Sequence, residues 1–485
     1  MPFAAGLWGA LQRDLPLLYP QLLLIVTATV MLWPGDLFVP RAEKGRWATV
    51  TLVALLVAAF LVGGTPLASG FSGMFQVDGL AKGFQYLTLA AGVLTVLLSQ
   101  LQLDARREQT VEYYALLLYS ISGMLCLVGA TDLVSIYFSL ELMALCIYIL
   151  VAYFRTEERS IEAGVKYFLL GAFSSGILLF GISLLFAAAG GVTTNLVELN
   201  ERLALAPHSS DLLVFLGVLM VLVGFCFKVA AVPFHMWSPD AYDGAPTPVT
   251  AFMSMAPKAA SLAAFLRVFG TGFNGVHADW ASPLAFVAAA SMILGNIAAL
   301  RAQTMKRLLA YSSIAHVGYM LLGVLCAGVP GGVQAIWLYM LTYLLMQSGA
   351  FGIVIYLQDR GEGERIEDFR GLAKTRPVLA FAMMVIMLSL AGIPPLLGFF
   401  SKFYLFKLAI EQGHVTLTVL ALLTSAVAAY YYLAVVATMY FKEPADAEPR
   451  PVGGITTLVV GASCALVLVG TLFGAYLLDW AGKVL

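Results

Sequence analysis

Four lysines and one glutamate lie within long apolar stretches of this sequence, and together they could carry protons. They are Glu141, Lys166, Lys228, Lys258 and Lys402. Ionisable side chains at membrane depth cost several kcal/mol, face a bundle interior or water, and usually belong to an ion or proton path. A buried ammonium group without its hydration shell gives up its proton more readily, and a nearby carboxylate opposes this effect. The series therefore predicts a proton store that responds to small movements of charge.

The five residues differ in how strongly their surroundings favour this function. Glu141 lies in DLVSIYFSLELMALCIYILVAY, where apolar residues on both sides leave the carboxylate no short reach to an interface. Lys228 lies in VLVGFCFKVAAVPFH, shortly before Pro233, and Lys258 lies in the middle of another apolar segment. Lys166 is nearer a segment end and follows Glu162 by one helical turn, so an ordinary surface ion pair explains it equally well.

Three further residues are relay candidates with a competing structural explanation. His235 and His316 lie within or at the edge of apolar segments, and a lone histidine there is often only a hydrogen-bonding packing residue. Lys306 and Arg307 open a segment, where anchoring of the chain by positive residues accounts for them.

The composition excludes several classes of protein. Of 485 residues, 61% are hydrophobic and 11% are charged, where a soluble chain carries about 25% charged residues. The mean hydropathy is +0.89. So few charges cannot cover a soluble or disordered protein, and a net charge of −1 gives no basic face for nucleic acid. The sequence predicts an all-α polytopic membrane protein.

Apolar runs between charged or Gly/Pro breaks predict about fourteen transmembrane helices. Their expected centres are residues 27, 56, 90, 121, 143, 178, 225, 258, 290, 316, 344, 390, 427 and 467. The seventh span (212–240) and the twelfth (377–409) are too long for one straight crossing. Pro233 interrupts the seventh, and Pro394 and Pro395 interrupt the twelfth. Prolines break the helical hydrogen bonds, and the freed carbonyls need protein or water, so both spans are predicted to break at a cavity.

The positive residues predict an orientation. Most Lys and Arg residues outside the spans fall in loops after odd-numbered spans, from Arg41, Lys44 and Arg107 to Arg360 and Arg450. Because such loops face the cytoplasm, both termini are expected on the outer side of the membrane.

The sequence carries no motif for a metal or a nucleotide. Five cysteines are scattered singly, and there is no CxxC, HExxH, GxGxxG or GxxxxGK[ST]. We therefore expect no metal site, no cofactor site and no disulfide framework in this chain.

Several motifs resemble the antiporter-like membrane subunits of the proton-pumping NADH:quinone oxidoreductase, respiratory complex I. They are SLELMALCIY, EAGVKYFLLGAFSSGILLFG, GFCFKVAAVPFHMWSPDAYDGAPTPVTAFMSMAPKAA, MKRLLAYSSIAHVGYM and MLSLAGIPPLLGFFSKFYLF, which together span roughly residues 110–440. The resemblance implies a single transmembrane domain over 1–485. Spans 1–3 occupy 1–110, inverted five-helix repeats (spans 4–8 and 9–13) occupy 111–270 and 281–442, and span 14 occupies 455–485.

The resemblance also implies roles for the charged residues. Glu141 and Lys166 would form a charge pair, and Lys228 would be the central lysine on the broken helix. Lys258 would pass the proton along a hydrated axis, and Lys402 would lie near the distal exit. The implied setting is the bacterial inner membrane. Neighbouring M-type and small membrane subunits would be direct partners, and the peripheral arm an indirect one. NADH, FMN, Fe–S clusters and quinone would belong to other chains.

Within this family the N-type (ND2-type) branch fits best. L-type subunits carry a long C-terminal lateral helix, which is not expected here because the chain ends shortly after span fourteen. M-type subunits typically have Glu where this sequence has Lys402. Two alternatives stay open. One is a subunit of an Mrp-type Na⁺/H⁺ antiporter, and the other is a structural membrane subunit with degenerate channels, against which the retained charged residues argue.

Overall fold

A computed structural model describes residue 9 and residues 11–33, 45–106, 110–205, 211–358, 363–444 and 454–484. Within these ranges the chain is almost entirely helical, which confirms the all-α prediction. Several residues used for the orientation, namely Arg41, Lys44, Arg107, Arg360 and Arg450, lie outside the described residues.

The helices follow the predicted spans closely. The first ten are α1 (Tyr19–Leu32), α2 (Arg46–Gly64), α3 (Gly79–Arg106), α4 (Val111–Gly129), α5 (Leu133–Val151), α6 (Glu158–Ala188), α7 (Leu196–Ala204), α8 (Asp211–Val229), α9 (Trp237–Gly244) and α10 (Thr247–Arg267). The remaining eight are α11 (His277–Ala299), α12 (Met305–Leu325), α13 (Gly332–Gln358), α14 (Leu372–Thr375), α15 (Pro377–Ala391), α16 (Leu397–Glu411), α17 (Val415–Phe441) and α18 (Gly454–Val484).

Thirteen segments of the described chain are helices long and apolar enough to cross a membrane. The predicted twelfth span is instead a pair of 15-residue helices, α15 and α16. Counted as one broken crossing, this pair completes the expected fourteen. The predicted seventh span likewise divides into α8 and α9. Both divisions occur at the prolines that the sequence singled out. The inverted-repeat relation between 111–270 and 281–442 stays a prediction.

Helix α10 is the centre of the molecule. Every residue from Thr247 to Arg267 is buried, because α3, α4, α5, α8, α12 and α13 all pack around it. The outer helices differ: α2, α6 and α17 bury only one side and expose large aliphatic and aromatic side chains, as expected for a surface against lipid or a neighbouring membrane chain. The lysine carried by α10 therefore lies in the protein interior.

One end of the bundle carries small elements that the hydrophobic pattern did not predict. Strands β1 (Ala68–Gly70) and β2 (Phe75–Val77) form an antiparallel hairpin, and the short α7 lies in the loop after α6. At this end Arg267 makes a bidentate ion pair with Asp78, at 2.8 and 2.9 Å, which joins the end of α10 to the loop before α3.

The opposite end collects loops that follow odd-numbered spans, and we call it the charged end. Arg159 pairs with Asp243 at 2.9 Å, and Arg307 pairs with the same carboxylate at 3.0 Å. A backbone bridge joins Thr304 to Arg365. The structure thus places several of the positive loops together, as the alternation requires. The side of the membrane that this end faces stays a prediction.

Candidate functional site

The first break separates α8 from α9 and leaves a helix C-terminus inside the bundle. Ala230 adopts a left-handed conformation with φ of 63°. The N–H groups of Ala230 and Ala231 then close the last turn onto the carbonyls of Phe227 and Cys226, at 3.0 and 2.8 Å. The indole N–H of Trp237, the first residue of α9, also donates to Phe227 O at 3.0 Å. The break is therefore held by hydrogen bonds on both sides.

Lys228 lies in the last turn of α8, where the negative end of the helix dipole favours a cation. Its side chain is only 3% exposed, and its Nζ lies 3.4 Å from Glu141 Oε1 on α5. Ser175 on α6 donates to the same carboxylate oxygen and lies 3.4 Å from Lys228 Nζ. Three helices thus meet in a carboxylate, a hydroxyl and an ammonium group. Glu141 keeps 21% of its side chain exposed at the outer surface of the chain.

The expected pair of Glu141 with Lys166 is absent from this structure. Lys166 pairs with Glu162 at 2.7 Å and Asp240 at 3.1 Å, and 48% of its side chain is exposed. The physical reason is its position along α6. Ser175, which does contact Glu141, lies nine residues further along, about 13 Å at the helical rise. The pairing expectation is wrong here, and the alternative of a helix-surface ion pair describes Lys166 correctly.

Lys258 occupies the most enclosed position of the series. It is 1% exposed on α10, its Nζ contacts Ser313 Oγ on α12, and it lies 5.9 Å from the centre of the Tyr242 ring. Among the described residues no carboxylate lies within ion-pair distance of this ammonium group. Within the described part of the chain, its burial is thus compensated by one hydroxyl and one aromatic face.

One face of α12 connects Lys258 with Lys402. Ser313, His316 and Tyr319 are spaced three residues apart, so they share a face and cover about 9 Å of helix. Ser313 contacts Lys258, and the ring of Tyr319 lies 5.2 Å from Lys402 Nζ. Between them, His316 lies within electrostatic range of both lysines.

Hydrogen bonds fix the position of the His316 ring. Its Nδ1 is 2.7 Å from Tyr339 OH on α13, and its Nε2 is 3.2 Å from Tyr432 OH on α17. Tyr432 OH in turn contacts Ser312 Oγ. Hydroxyls therefore flank both ring nitrogens, so the imidazole can accept a proton on one side and donate one on the other.

The second break separates α15 from α16. Gly392 ends α15 in a left-handed conformation with φ of 82°. Lys402 on α16 reaches back across the break and donates to the carbonyls of Leu390 and Ala391, at 3.0 and 3.2 Å. Its third partner is Ser425 Oγ on α17, at 2.9 Å. Lys402 is 5% exposed, and as at Lys258 no described carboxylate lies within ion-pair distance.

The structure does not bring His235 and Lys306 to the lysine series. His235 lies half-buried within the first break, and the described residues show no contact between it and a lysine. Lys306 is 8% exposed and donates to the carbonyls of Ala245 and Asp243, at 2.8 and 3.3 Å. It therefore caps the C-terminal end of α9. A relay role for either residue stays a prediction.

Several polar residues of this interior were missed because their types are common in any core. Ser175, Ser313, Tyr319 and Ser425 contact the charged groups, and only the three-residue spacing in SSIAHVGY could have revealed part of the set. Within the described residues no group of three or more His, Cys, Asp or Glu is placed to hold a metal ion.

Comparisons with known proteins show which family this chain resembles. Residues 130–428 match the transmembrane family described as NADH:quinone oxidoreductase/Mrp antiporter. The chain is 41% identical over 480 residues to NADH-quinone oxidoreductase subunit N of Paramagnetospirillum magneticum, covering 96% of each protein. It is 45% identical over 467 residues to the same subunit of Desulfovibrio desulfuricans, covering 92% of this chain and 91% of that protein.

Solved structures show the same fold. A chain of respiratory complex I from Thermus thermophilus with bound aureothin superposes with a TM-score of 0.80 at 34% identity. The match covers 95% of this chain and 98% of that one. A chain of the Mrp complex from Dietzia sp. DQ12-45-1b gives a TM-score of 0.77 at 22% identity, covering 97% and 95%. The second likeness is one of fold alone.

Proposed function

This chain belongs to the family of subunit N of NADH-quinone oxidoreductase, and we propose on that premise that its buried lysines carry protons across the membrane. In this role the chain couples electron transfer from NADH to quinone, which takes place in partner subunits, to proton translocation. It contributes no redox centre of its own. The respiratory complex I of Thermus thermophilus, whose chain shares this fold at 34% identity, supports such an assembly.

The observation that carries the proposal is a pair of enclosed ammonium groups with no described carboxylate within ion-pair distance. Lys258 and Lys402 are 1% and 5% exposed, and the polar face of α12 joins them. Burying a charge without a counter-charge costs several kcal/mol, and a structural role would be met more cheaply by an apolar side chain. A lysine that gains and loses a proton in turn accounts for this arrangement.

Water completes the path between these groups in our proposal. Tyr343 OH and both side-chain polar atoms of Gln347, on α13, are buried and make no hydrogen bond of good geometry to a described residue. Tyr343 faces Ser313, the contact of Lys258. Buried polar atoms of this kind are commonly satisfied by internal water. A short water chain here would link Lys258 to His316.

The mechanism begins at the first break. While Glu141 stays beside Lys228, the carboxylate stabilises the ammonium form. Movement of Glu141 away from Lys228 removes that stabilisation, and Lys228 releases its proton toward Lys258. The proton then passes along the α12 face by way of His316 to Lys402, and from there out of the bundle. Return of Glu141 restores the first site and favours uptake of the next proton.

Lys166, which does not contact the other lysines, has a separate role in the proposal. Lys166 belongs to a charged cluster with Glu162 and Asp240, where it can exchange protons with solvent at the charged end. We further propose that the chain lies in the bacterial inner membrane with both termini outside. Its direct partners would be the neighbouring M-type and small membrane subunits, and FMN, Fe–S clusters and quinone would be held by other chains.

Replacement of Lys258 in the assembled complex tests the proposal. Lys258→Met removes the proton carrier, and Lys258→Arg keeps a positive charge that does not deprotonate in proteins. We expect both variants to lower protons translocated per electron in inverted membrane vesicles. The control is Lys374→Met, which removes an exposed lysine paired with Glu443 at the charged end and should leave the ratio unchanged. Normal pumping by Lys258→Arg, at normal assembly, would show that only the charge matters.

A cation/proton antiporter subunit is the second candidate, because the matching family includes Mrp antiporters. Purification with its native neighbours separates the two functions. Subunit N function requires NADH-dependent proton uptake by vesicles that contain the complex. Antiporter function instead requires proton release driven by a sodium gradient, without any dependence on NADH.

A further inference from the structure

A groove of about 770 Å³ lies between α11 and α12 near the charged end. Aliphatic side chains of α11 form one part of it, including Ile293 and Ile297, which are 41% and 55% exposed. The turn between the helices and the first residues of α12 form the other part, with Arg301, Arg307 and Tyr311. The groove therefore joins an apolar strip within a membrane span to a positive end at the helix termini.

The positive end has capacity to bind an anion. Arg301 is exposed, and in the part of the chain that the structure describes it makes no ion pair. Arg307 uses its Nε and Nη2 groups for Asp243 and Asp240, at 3.0 and 3.2 Å. Its Nη1 group makes no hydrogen bond to a described residue. Because Asp243 and Asp240 compensate Arg307, the net positive charge at this mouth comes from Arg301, and it matches the single charge of a phosphodiester.

We propose that the groove between α11 and α12 binds an anionic phospholipid. The headgroup phosphate lies at Arg301 and Arg307, and one acyl chain lies along Ile293 and Ile297. Basic pockets between transmembrane helices bind anionic headgroups in this way, and Tyr311 is of the type that lies at the level of the headgroups.

A second groove of similar size is less suited to an anionic lipid. It lies between α4, α5 and α6, has about 800 Å³, and is also mostly apolar. Its charged lining residues are Arg155 and Glu112, so an anion there would meet a carboxylate. Charge therefore assigns the anionic lipid to the groove between α11 and α12.

Photolabelling of the assembled complex tests this site. Complexes in nanodiscs would be exposed to phosphatidylglycerol that carries a diazirine in its acyl chain, and adducts would be mapped by mass spectrometry. We expect adducts on the segment 293–311 of the unaltered chain. Arg301→Gln should lower this labelling roughly fivefold, the effect of one cation near the membrane surface. The control, Arg370→Gln, removes an exposed arginine near the same end that lines neither groove and should leave labelling unchanged.

Three outcomes would overturn the proposal. Equal labelling by photoreactive phosphatidylcholine would show a groove without preference for anionic lipid. Unchanged labelling in Arg301→Gln would remove the headgroup site. Crosslinks from a photoreactive residue at position 297 to another protein chain, with no lipid adduct, would show that a partner subunit fills the groove. None of these results depends on proton transport.

Discussion

The two broken spans hold their lysines in different ways. At the first break Lys228 faces the carboxylate of Glu141 and the hydroxyl of Ser175, both on other helices. At the second break Lys402 is held by two backbone carbonyls of α15 and the hydroxyl of Ser425. A carboxylate on a flexible side chain can move away and change its protonation state, whereas backbone carbonyls are fixed dipoles. In the proposed mechanism, external control of proton transfer would therefore act at the first break.

Of the substitutions that test this contrast, Glu141→Gln should lower the stability of the complex most. The substitution leaves Lys228 buried with neutral partners only, and breaking a buried ion pair from one side costs about 3 kcal/mol. We expect a lower midpoint in thermal unfolding of the purified complex. The double variant with Lys228→Met should recover most of the midpoint, because no unpaired charge remains, yet proton translocation should stay low. A midpoint equal to that of the unaltered complex in the single variant would show that the pair does not stabilise the first break.

Lys402→Met should have a smaller effect on stability. It removes the donor to the carbonyl of Leu390, at a cost of about 2 kcal/mol, whereas the carbonyl of Ala391 keeps Ser425 Oγ as a donor at 3.3 Å. Among the described residues no carboxylate is left unpaired, so no second substitution at an acid should rescue the variant. Scanning calorimetry of the assembled complex would provide the comparison. Rescue by neutralising any carboxylate of the chain would mean that Lys402 has an acidic partner after all, and that the two breaks are alike.

Gly392→Ala tests the geometry of the second break without touching the lysine. A left-handed backbone costs an alanine about 1.5 kcal/mol, and the added Cβ would lie 3.0 Å from Lys402 Cδ and 3.2 Å from its Nζ. The control is Gly413→Ala, which has a similar φ of 84° but no atom within 4 Å of the added Cβ. Both variants should lose stability, and only Gly392→Ala should slow proton translocation. Equal proton translocation by the two variants would show that a change in the surroundings of Lys402 does not affect proton transfer.

Ser425→Ala should produce the smallest change. It removes one of three partners of Lys402. The cost should be only about 1 kcal/mol, because water in a cavity of about 460 Å³ beside Lys402 and Ser425 can replace the lost hydroxyl. Ser175→Ala at the first break is the matched substitution and should slow pumping more, since Ser175 bridges the ion pair. The pumping rates of the two variants decide between a water-accessible and a closed second site.

The sequence predicts the positions of these lysines along the membrane well, and their partners poorly. Apolar flanks place Lys228 and Lys258 in the interior, and prolines place the breaks, because both signals are local. The partners of each lysine depend on which helices pack together and on how far along each helix the side chains lie. The separation of Lys166 from Ser175 along α6 decides that Glu141 meets Lys228, and no local pattern contains that information.

Other features of the fold and the site could not be predicted from the hydrophobic pattern for a different reason. The hairpin of β1 and β2 and the short α7 are too small to leave a period in an apolar chain. The hydroxyls of Ser313 and Tyr339 become informative only when three helices bring them beside His316 and Lys258. Such residues carry no distinct signal in a single sequence.

The complete enclosure of α10 has a consequence for how the chain is made. This helix carries a lysine and an interior proline, and it is the least apolar of the thirteen long helices. Emerging alone into the bilayer, it would place Lys258 among acyl chains. We therefore expect α10 to enter the bilayer beside α3 and α4, which precede it in the chain, and to be fully enclosed only after α12 and α13 have followed.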